Sequence, residues 1–285
     1  MSSHMVKQEV VKRKLCIIYF RHDCLTAPQL IQNMLINRYT MLGGGDASNP
    51  GIITKAIKKL FDAKRMLEDT SHGVTTVDIS VELLEVYNEQ VRDLMSTQKD
   101  NQGYKSLNIS LNADEVIGNV VFSASDENEV LTVLSKAQER RCVKATKSNE
   151  ESSRSHFIFT MNFVVKQGSK VVRKSKLHVC DLAGSERLSK SQATGSTLNE
   201  TKHINKSLST LSNVIENLQQ KSKHVAFRES KLTYLLRNSL GGDSKTLAIV
   251  CCNPLAEHFQ ETSCSLRFAQ KMNKVELQGM GNISC

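Results

Sequence analysis

The chain of 285 residues contains no tryptophan, and aromatic residues make up only 5% of it. With no helix-turn-helix, zinc-finger or RNA-binding signature beside that scarcity, nucleic acid falls behind other partners. None of the eight cysteines forms a C-x-x-C pair. Neither a zinc site nor a disulfide framework is indicated, and buried, reduced thiols are expected. No apolar run is long enough to span a membrane, and the lysine-rich start is not followed by a signal-like apolar segment. The expectation is therefore a soluble, intracellular protein. No linker, composition shift, internal repeat or low-complexity tract divides the chain, so one domain over residues 1–285 is the simplest count. Also missing is a phosphate-binding loop, since no G-x-x-x-x-G-K-[S/T] occurs.

What is present suits a layered α/β fold. Hydrophobic content of 39% is ample for one core, and strand-like and helix-like segments alternate. The pattern predicts strands over Leu15–Phe20, Val77–Val86, Ser155–Val165, Val171–Leu182 and Thr246–Cys252, with a bent hairpin between Leu107 and Phe122. Helices are predicted over Asp126–Cys142, Thr197–Leu218, Lys231–Leu240 and Glu261–Val275. In the longest of these, Ile204, Leu208, Leu211 and Ile215 mark a core-facing stripe.

Two segments carry phosphate chemistry. Asn149-Glu-Glu-Ser-Ser-Arg-Ser-His156 offers a carboxamide at Asn149 and hydroxyls at Ser152 and Ser153, the ligand types that touch a terminal phosphate and its Mg²⁺. Asp181-Leu-Ala-Gly-Ser-Glu186 ends an apolar strand. Asp181 can hold a Mg²⁺-bound water there, and the Gly184 backbone can approach a γ-phosphate and donate its N–H. Arg154 and Glu186 carry opposite charges, so they could latch the two loops together when phosphate is present. A serine-rich turn and an ordinary strand end are the bland alternatives for either segment alone.

Further motifs stand downstream in order: Leu198-Asn-Glu-Thr-Lys-His-Ile-Asn-Lys-Ser-Leu208, Phe227-Arg-Glu-Ser-Lys-Leu-Thr-Tyr-Leu-Leu236 and Ser265-Leu-Arg-Phe-Ala269. Together with the two switch segments they resemble the kinesin motor domain, from about Asp78 to Leu277. The ending Leu266-Arg-Phe-Ala-Gln-Lys-Met-Asn273 is most similar to the subfamily whose motor lies C-terminal to its stalk and moves toward microtubule minus ends. The resemblance implies a central mixed β-sheet with helices on both faces, and a microtubule-stimulated ATPase using ATP/ADP with Mg. By that correspondence Asn149, Ser152, Ser153, Arg154, Asp181, Gly184 and Glu186 form the catalytic set, with Ser153, Asp181 and Gly184 on the nucleotide and Ser153 and Asp181 on Mg.

The N-terminal portion departs from the family. Tyr39-Thr40-Met41-Leu42 matches, but Asn37-Arg38 stands where Lys-Thr should close the phosphate loop, and the loop and its strand are missing. Residues 1–38 are thus divergent, 39–277 family-like and 278–285 a tail. Leu30–Ile36 resembles the helix that precedes the lost strand, whereas Gly43-Gly44-Gly45 reads as a flexible turn. Losing a strand from inside a sheet leaves unpaired backbone and an exposed edge. Leu15–Phe20 is the one good substitute: it either fills the interior place or the N-terminal half is marginal and rearranged.

The formal charge of +9 and pI near 9.1 favour an acidic partner, such as nucleic acid, an anionic membrane or tubulin. Lys202 and Lys206, with His203 between them, lie on the long helix, and Lys221, Lys223, Arg228 and Lys231 extend a positive stripe. The resemblance implies that this stripe faces the microtubule, against the bland alternative of a solvated charged face. The expectation is a microtubule-binding module with weak or absent ATP turnover, working beside a partner kinesin chain, in the cytoplasm on microtubules or the spindle. Neither a nucleic-acid partner nor a membrane span is expected. The alternatives are an ATP-driven motor whose chain is an incomplete or alternative version, and a basic adaptor for a non-tubulin partner.

Overall fold

The structure, a computed structural model, describes residues 11–20, 40–43, 49–97, 106–110, 116–145, 154–184, 196–241, 244–252 and 255–276. Its strands are β1 (Val11–Phe20), β2 (Thr75–Tyr87), β3 (Gln90–Asp93), β4 (Ser106–Ile109), β5 (Val116–Ile117), β6 (Phe122–Ala124), β7 (His156–Gln167), β8 (Lys170–Asp181) and β9 (Lys245–Val250). The helices are α1 (Ile52–Thr70), α2 (Glu127–Ala145), α3 (Ser196–Gln219), α4 (Lys231–Leu235), α5 (Arg237–Gly241) and α6 (Phe259–Asn273). The sheet runs β5-β4-β3-β2-β7-β8-β1-β9, with β6 on the side of β2.

Strand β1 lies inside this sheet. It pairs parallel with β8 from Val11 opposite Arg173 to Tyr19 opposite Asp181, and parallel with β9 from Leu15 opposite Lys245 to Phe20 opposite Val250. The substitute strand therefore takes an interior place, the first of the two expected outcomes. β7 pairs antiparallel with both β2 and β8, which makes the sheet mixed.

Two layers of helices cover the sheet unequally. On one face, Ile53, Ile57 and Phe61 of α1 and Val130 and Leu134 of α2 pack on Val81, Leu83, Phe157, Phe159 and Met161. Burying side chains of that size stabilises the fold by roughly 1.5–3 kcal/mol each. On the other face α3, α4 and α5 pack through Leu211, Ile215, Leu232 and Leu240 on Leu84, Val86, Ile158 and Cys180. This second layer reaches only one end of the sheet. β2 alternates buried with exposed or half-buried positions up to Ile79–Glu82 and is then continuously buried over Leu83–Val86, whereas β7 is continuously buried over His156–Met161 and opens toward Gln167.

Local rules explain the elements. Asp126 caps α2 by accepting from Asn128 N–H (2.7 Å) and Glu129 N–H (3.0 Å), while Glu129 reaches back to Ser125 N–H (2.7 Å). The β7–β8 turn uses Gly168 at φ +56°. Gly43 has φ +101°, and a Cβ on it would lie 2.4 Å from the Asn49 carbonyl, so this glycine serves a close backbone approach. Met41 is buried in the first core. Leu30–Ile36, Tyr39, Gly44 and Gly45 lie outside the described residues.

Several expectations need correction. The helix over Lys231–Leu240 is two short helices broken at Leu236. α1 was not among the expected helices. Buried thiols hold for Cys180, but Cys252 and Cys264 are exposed, and none of the three is in a disulfide. The hairpin near residue 112 is seen in the antiparallel pairing of β4 with β5, Asn108 opposite Ile117, although residues 111–115 lie outside the described set. Helix α6 buries none of its residues fully. Phe268 and Met272 pack partly on the second core, and ion pairs Lys271–Glu216 and Lys221–Glu276, each 2.7 Å, tie this region down.

A proline tests the interior strand. Ile17→Pro removes a backbone donor from a strand paired on both sides and is expected to cost on the order of 3 kcal/mol. Thermal unfolding should show a Tm several degrees lower or loss of soluble protein, and an unchanged Tm would place this strand outside the ladder.

Candidate functional site

The register of the sheet brings the switch segments to one end. Asp181 closes β8 opposite Phe157 near the start of β7 and opposite Tyr19 near the end of β1. Arg154, three residues before Phe157, and Gly184, three residues after Asp181, therefore leave the sheet side by side. Gly184 is buried and Arg154 half-buried. Asn149, Ser152, Ser153 and Glu186 lie outside the described residues, so the geometry covers Arg154, Asp181 and Gly184 of the expected catalytic set.

His156 joins three elements at this end. It is 2% exposed; its Nδ1 accepts from the backbone N–H of Ala183 at 3.0 Å, and its Nε2 lies 2.8 Å from Ser207 Oγ on α3. Because Nδ1 must accept, the proton sits on Nε2 and is donated to Ser207. Ser207 Oγ in turn donates to the Ile204 carbonyl at 2.8 Å. Every group in this chain has one consistent direction. Burial, with Arg141 nearby, pushes the His156 pKa down to about 3, so the ring is neutral at physiological pH. The turn beside Gly184 is thus tied through one imidazole to the long helix.

A second buried constellation anchors the neighbouring residue. Ser155 Oγ donates to Glu85 Oε1 at 2.6 Å and accepts from Arg141 Nη2 at 3.2 Å. Arg141 Nε also meets Glu85 Oε1 at 3.3 Å, and Arg92 lies 3.7 Å from Glu85 Oε2. Arg141 stacks 4.9 Å from the Phe157 ring centre and Arg92 4.3 Å from that of Tyr87. β2, β3, α2 and the exit of the first switch are therefore locked by one carboxylate. The residue identities contained these partners, but separations of 56 and 70 positions gave no local signal for them.

The expected positive stripe is spread over α3 and the segment after it. Lys202, Lys206, Lys221, Lys223 and Arg228 are exposed and Lys231 is half-buried. Lys221 is engaged by Glu276, whose hydrogen bond raises the lysine pKa and lowers the carboxyl's. Lys231 marks the start of α4, where its backbone N–H donates to Glu89 Oε2 at 2.9 Å. Glu89 and Asn88 both hold positive φ, +58° and +52°, so a turn costly for non-glycine residues carries the carboxylate to that helix end. Ser230 completes the cap by accepting from Leu232 N–H at 3.1 Å.

For ATP with Mg²⁺, the donor set fits only in part. Of the expected ligands, Asp181, Gly184 and Arg154 stand together at this end of the sheet. The strand that would lead into a phosphate cradle, β1, is followed by Arg21-His-Asp-Cys-Leu-Thr26, with neither a glycine nor a lysine. Among the described residues no group of three or more His, Cys, Asp or Glu could hold a metal ion, and no helix is long and apolar enough to cross a membrane.

Two substitution series probe the buried groups. His156 binds its proton far more weakly in the folded chain than the ordinary histidine pKa of about 6.5 allows, so the unfolded state takes up protons first as pH falls. Stability should be full above that ordinary value and decline toward pH 3, by up to about 1.4 kcal/mol per pH unit from this group. His156→Asn, which keeps an acceptor near the Nδ1 position, should flatten that slope in denaturant titrations across pH; an unchanged slope would assign it elsewhere. Glu85→Ala leaves buried arginines uncompensated and should destabilise by about 3–5 kcal/mol. A loss below about 1 kcal/mol by the same titration would show that Glu85 is not the lock.

The comparisons with known proteins agree with this layout. Residues 37–275 match the family model described as the kinesin motor domain. Kinesin-like protein KIN-14N of Oryza sativa subsp. japonica is 42% identical over 247 residues, covering 84% of this chain and 32% of that protein. Kinesin-like protein KIN-14C of Arabidopsis thaliana is 40% identical over 254 residues, covering 84% and 32%. The chain thus spans about a third of the length of these curated relatives. Among solved structures, that of a fast kinesin aligns with a TM-score of 0.78 at 31% identity, covering 96% of this chain and 75% of that one. The motor domain of the Kar3-like kinesin from Ashbya gossypii gives 0.69 at 31% identity, covering 92% and 75%. A KIF14 dimer with AMP-PNP in complex with a microtubule gives 0.77 at 29% identity, covering 92% and 72%. With the motifs in order, the switch ends side by side and most of its length matched, the chain belongs to the kinesin motor-domain family.

Proposed function

We propose that this chain is a kinesin-like microtubule-binding module, one motor domain in extent, in which ATP binding and hydrolysis are weak or absent. The observation that carries the reading is the exit of β1. This strand runs parallel beside β8 with Tyr19 opposite Asp181, and it leads into Arg21-His22-Asp23 rather than a glycine loop with its lysine. A cradle of that kind supplies several backbone N–H donors, a cation for the β- and γ-phosphates and a hydroxyl for Mg²⁺. Without these, Asp181, Gly184, Arg154, Ser153 and Glu186 have little bound phosphate to act on.

Binding to the filament needs only the face built from α3 and α4. Lys202, Lys206, Lys221, Lys223, Arg228 and Lys231 are the cations proposed to meet acidic tubulin. His156 and Glu89 hold the two helices that carry or flank these cations, so the surface is set by hydrogen bonds within the fold without help from a nucleotide. An active partner kinesin chain would then supply turnover, with work on cytoplasmic or spindle microtubules. The competing reading, an ATP-driven motor whose chain is an incomplete or alternative version, draws on the intact turn at Asp181–Gly184. Comparison of the transcript with its genomic locus separates the two. A basic adaptor would bind its partner with no tubulin present.

Microtubule co-pelleting tests the reading in three conditions: ADP, a non-hydrolysable ATP analogue and no nucleotide. Equal, salt-sensitive pelleting in all three is the expected result. Strong pelleting with the analogue and weak pelleting with ADP would show a working nucleotide pocket and overturn it.

A further inference from the structure

Two cysteines stand side by side where β9 leaves the sheet. Cys251 and Cys252 follow Val250, which ends β9 opposite Phe20 at the end of β1. Both lie past the ladder, so strand pairing does not hold the peptide between them. Cys251 is half-buried and packs on the first core together with Ile249, Cys252 is exposed, and neither is in a disulfide. Strands β8, β1 and β9 run parallel, and Tyr19 of β1 is opposite both Asp181 and Ile249. The thiol pair therefore leaves the sheet at the same end as the switch turn, two strand spacings or about 9–10 Å across from β8.

Packing accounts for Cys251 but not for its exposed neighbour. Metal ligation does not account for it either, because among the described residues no group of three or more His, Cys, Asp or Glu could hold a metal ion. Proximity is what distinguishes the pair. Partial covering and then the charge of Cys251 raise the Cys252 pKa, so each sulfur lies within the other's field. Adjacent Cα atoms are about 3.8 Å apart across a trans peptide, short of the roughly 4.4–6.8 Å that disulfides usually span. A bridge between neighbours is thus strained and easily reduced, the character of labile and regulatory disulfides rather than structural ones.

We propose that Cys251 and Cys252 form a reversible thiol–disulfide pair, closed by a small-molecule disulfide of the glutathione class. Cys252, the accessible thiol, loses its proton and its thiolate attacks one sulfur of the oxidant. The oxidant's S–S bond breaks, a mixed disulfide forms on Cys252, and one glutathione leaves as its thiolate. Cys251 then loses its proton and attacks Cys252 Sγ, which closes the bridge and expels the second glutathione. The two protons released by the protein end on the two glutathione thiolates. The protein gives up two electrons and the oxidant is reduced to two thiols. A reducing dithiol runs the sequence backwards. Closure removes the exposed thiol and draws Cys251 toward its neighbour, tightening the chain where β9 leaves the sheet. The pair stands or falls independently of the nucleotide and microtubule readings.

The test treats the reduced full chain with glutathione disulfide, traps the remaining thiols with iodoacetamide and weighs the tryptic peptide over 246–267 by mass spectrometry. That peptide holds Cys251, Cys252 and Cys264. The expected product lacks two hydrogens, carries one alkyl group, on Cys264, and regains all three thiols on reduction. Closure should run roughly tenfold faster at pH 8 than at pH 7, because below its pKa the attacking thiolate grows tenfold per unit. Cys264→Ser should leave closure as in the parent. Cys252→Ser, a change at an exposed position, should abolish it, and Cys251→Ser should stop at a glutathione adduct on Cys252. Loss of closure in Cys264→Ser would assign the bridge to that cysteine and overturn the proposal. So would alkylation of both neighbours after oxidation, a lasting glutathione adduct in the parent, or a disulfide between two chains.

Discussion

The structure depends on the double parallel ladder of β1. Parallel pairing requires a neighbour on each side whose backbone groups face the strand, and β8 and β9 both meet that requirement only because β1 lies between them. β8 carries Asp181 and leads to Gly184. β9 is reached from α5 through Ser244, whose hydroxyl donates to the Asn238 carbonyl at 3.0 Å. Without the strand in the middle, two edges would open beside the switch turn. The placement of Asp181 and Gly184 at that end depends on this one insertion.

Polar groups inside the fold then set how the loops leave the sheet. His156 and Ser155 are adjacent in sequence and point to opposite faces, as strand geometry requires. One reaches Ala183 and α3; the other reaches Glu85 and α2. The start of β7 is therefore fixed from both helical layers at once. A purely apolar pair at these positions would fill the volume but would orient neither the turn at Ala183 nor the entry to β7.

Much of this architecture is legible in local pattern. The strands at Val77, Ser155 and Val171, the long helix and its stripe at Ile204, Leu211 and Ile215 have periodicities that burial in the structure reproduces. α1 is legible too, since Ile53, Ile57 and Phe61 recur at helical spacing, although no motif draws attention to it. The break at Leu236 is not legible, because no glycine or proline stands there to signal it. The role of His156 is equally hidden. Its motif is plain in the sequence, yet both partners of the ring are distant along the chain, at separations of 27 and 51 positions. For the candidate site, sequence identifies the residue types at the switch ends, and only the register shows that β1 terminates beside them.

Helix α6 differs from the rest in how it is held. Most elements are kept in place by buried apolar area, which salt affects little, whereas α6 has partial packing and relies on Lys271–Glu216 together with Lys221–Glu276 near its end. Exposed pairs of this kind weaken as ionic strength rises. The hold on the last helix is therefore partly electrostatic, and rising salt favours its release from α3 against the partial packing of Phe268 and Met272 on the second core. Through Lys221, its release would also free a cation at the end of the long helix, so that ionic conditions alter the shape of that surface as well as its screening.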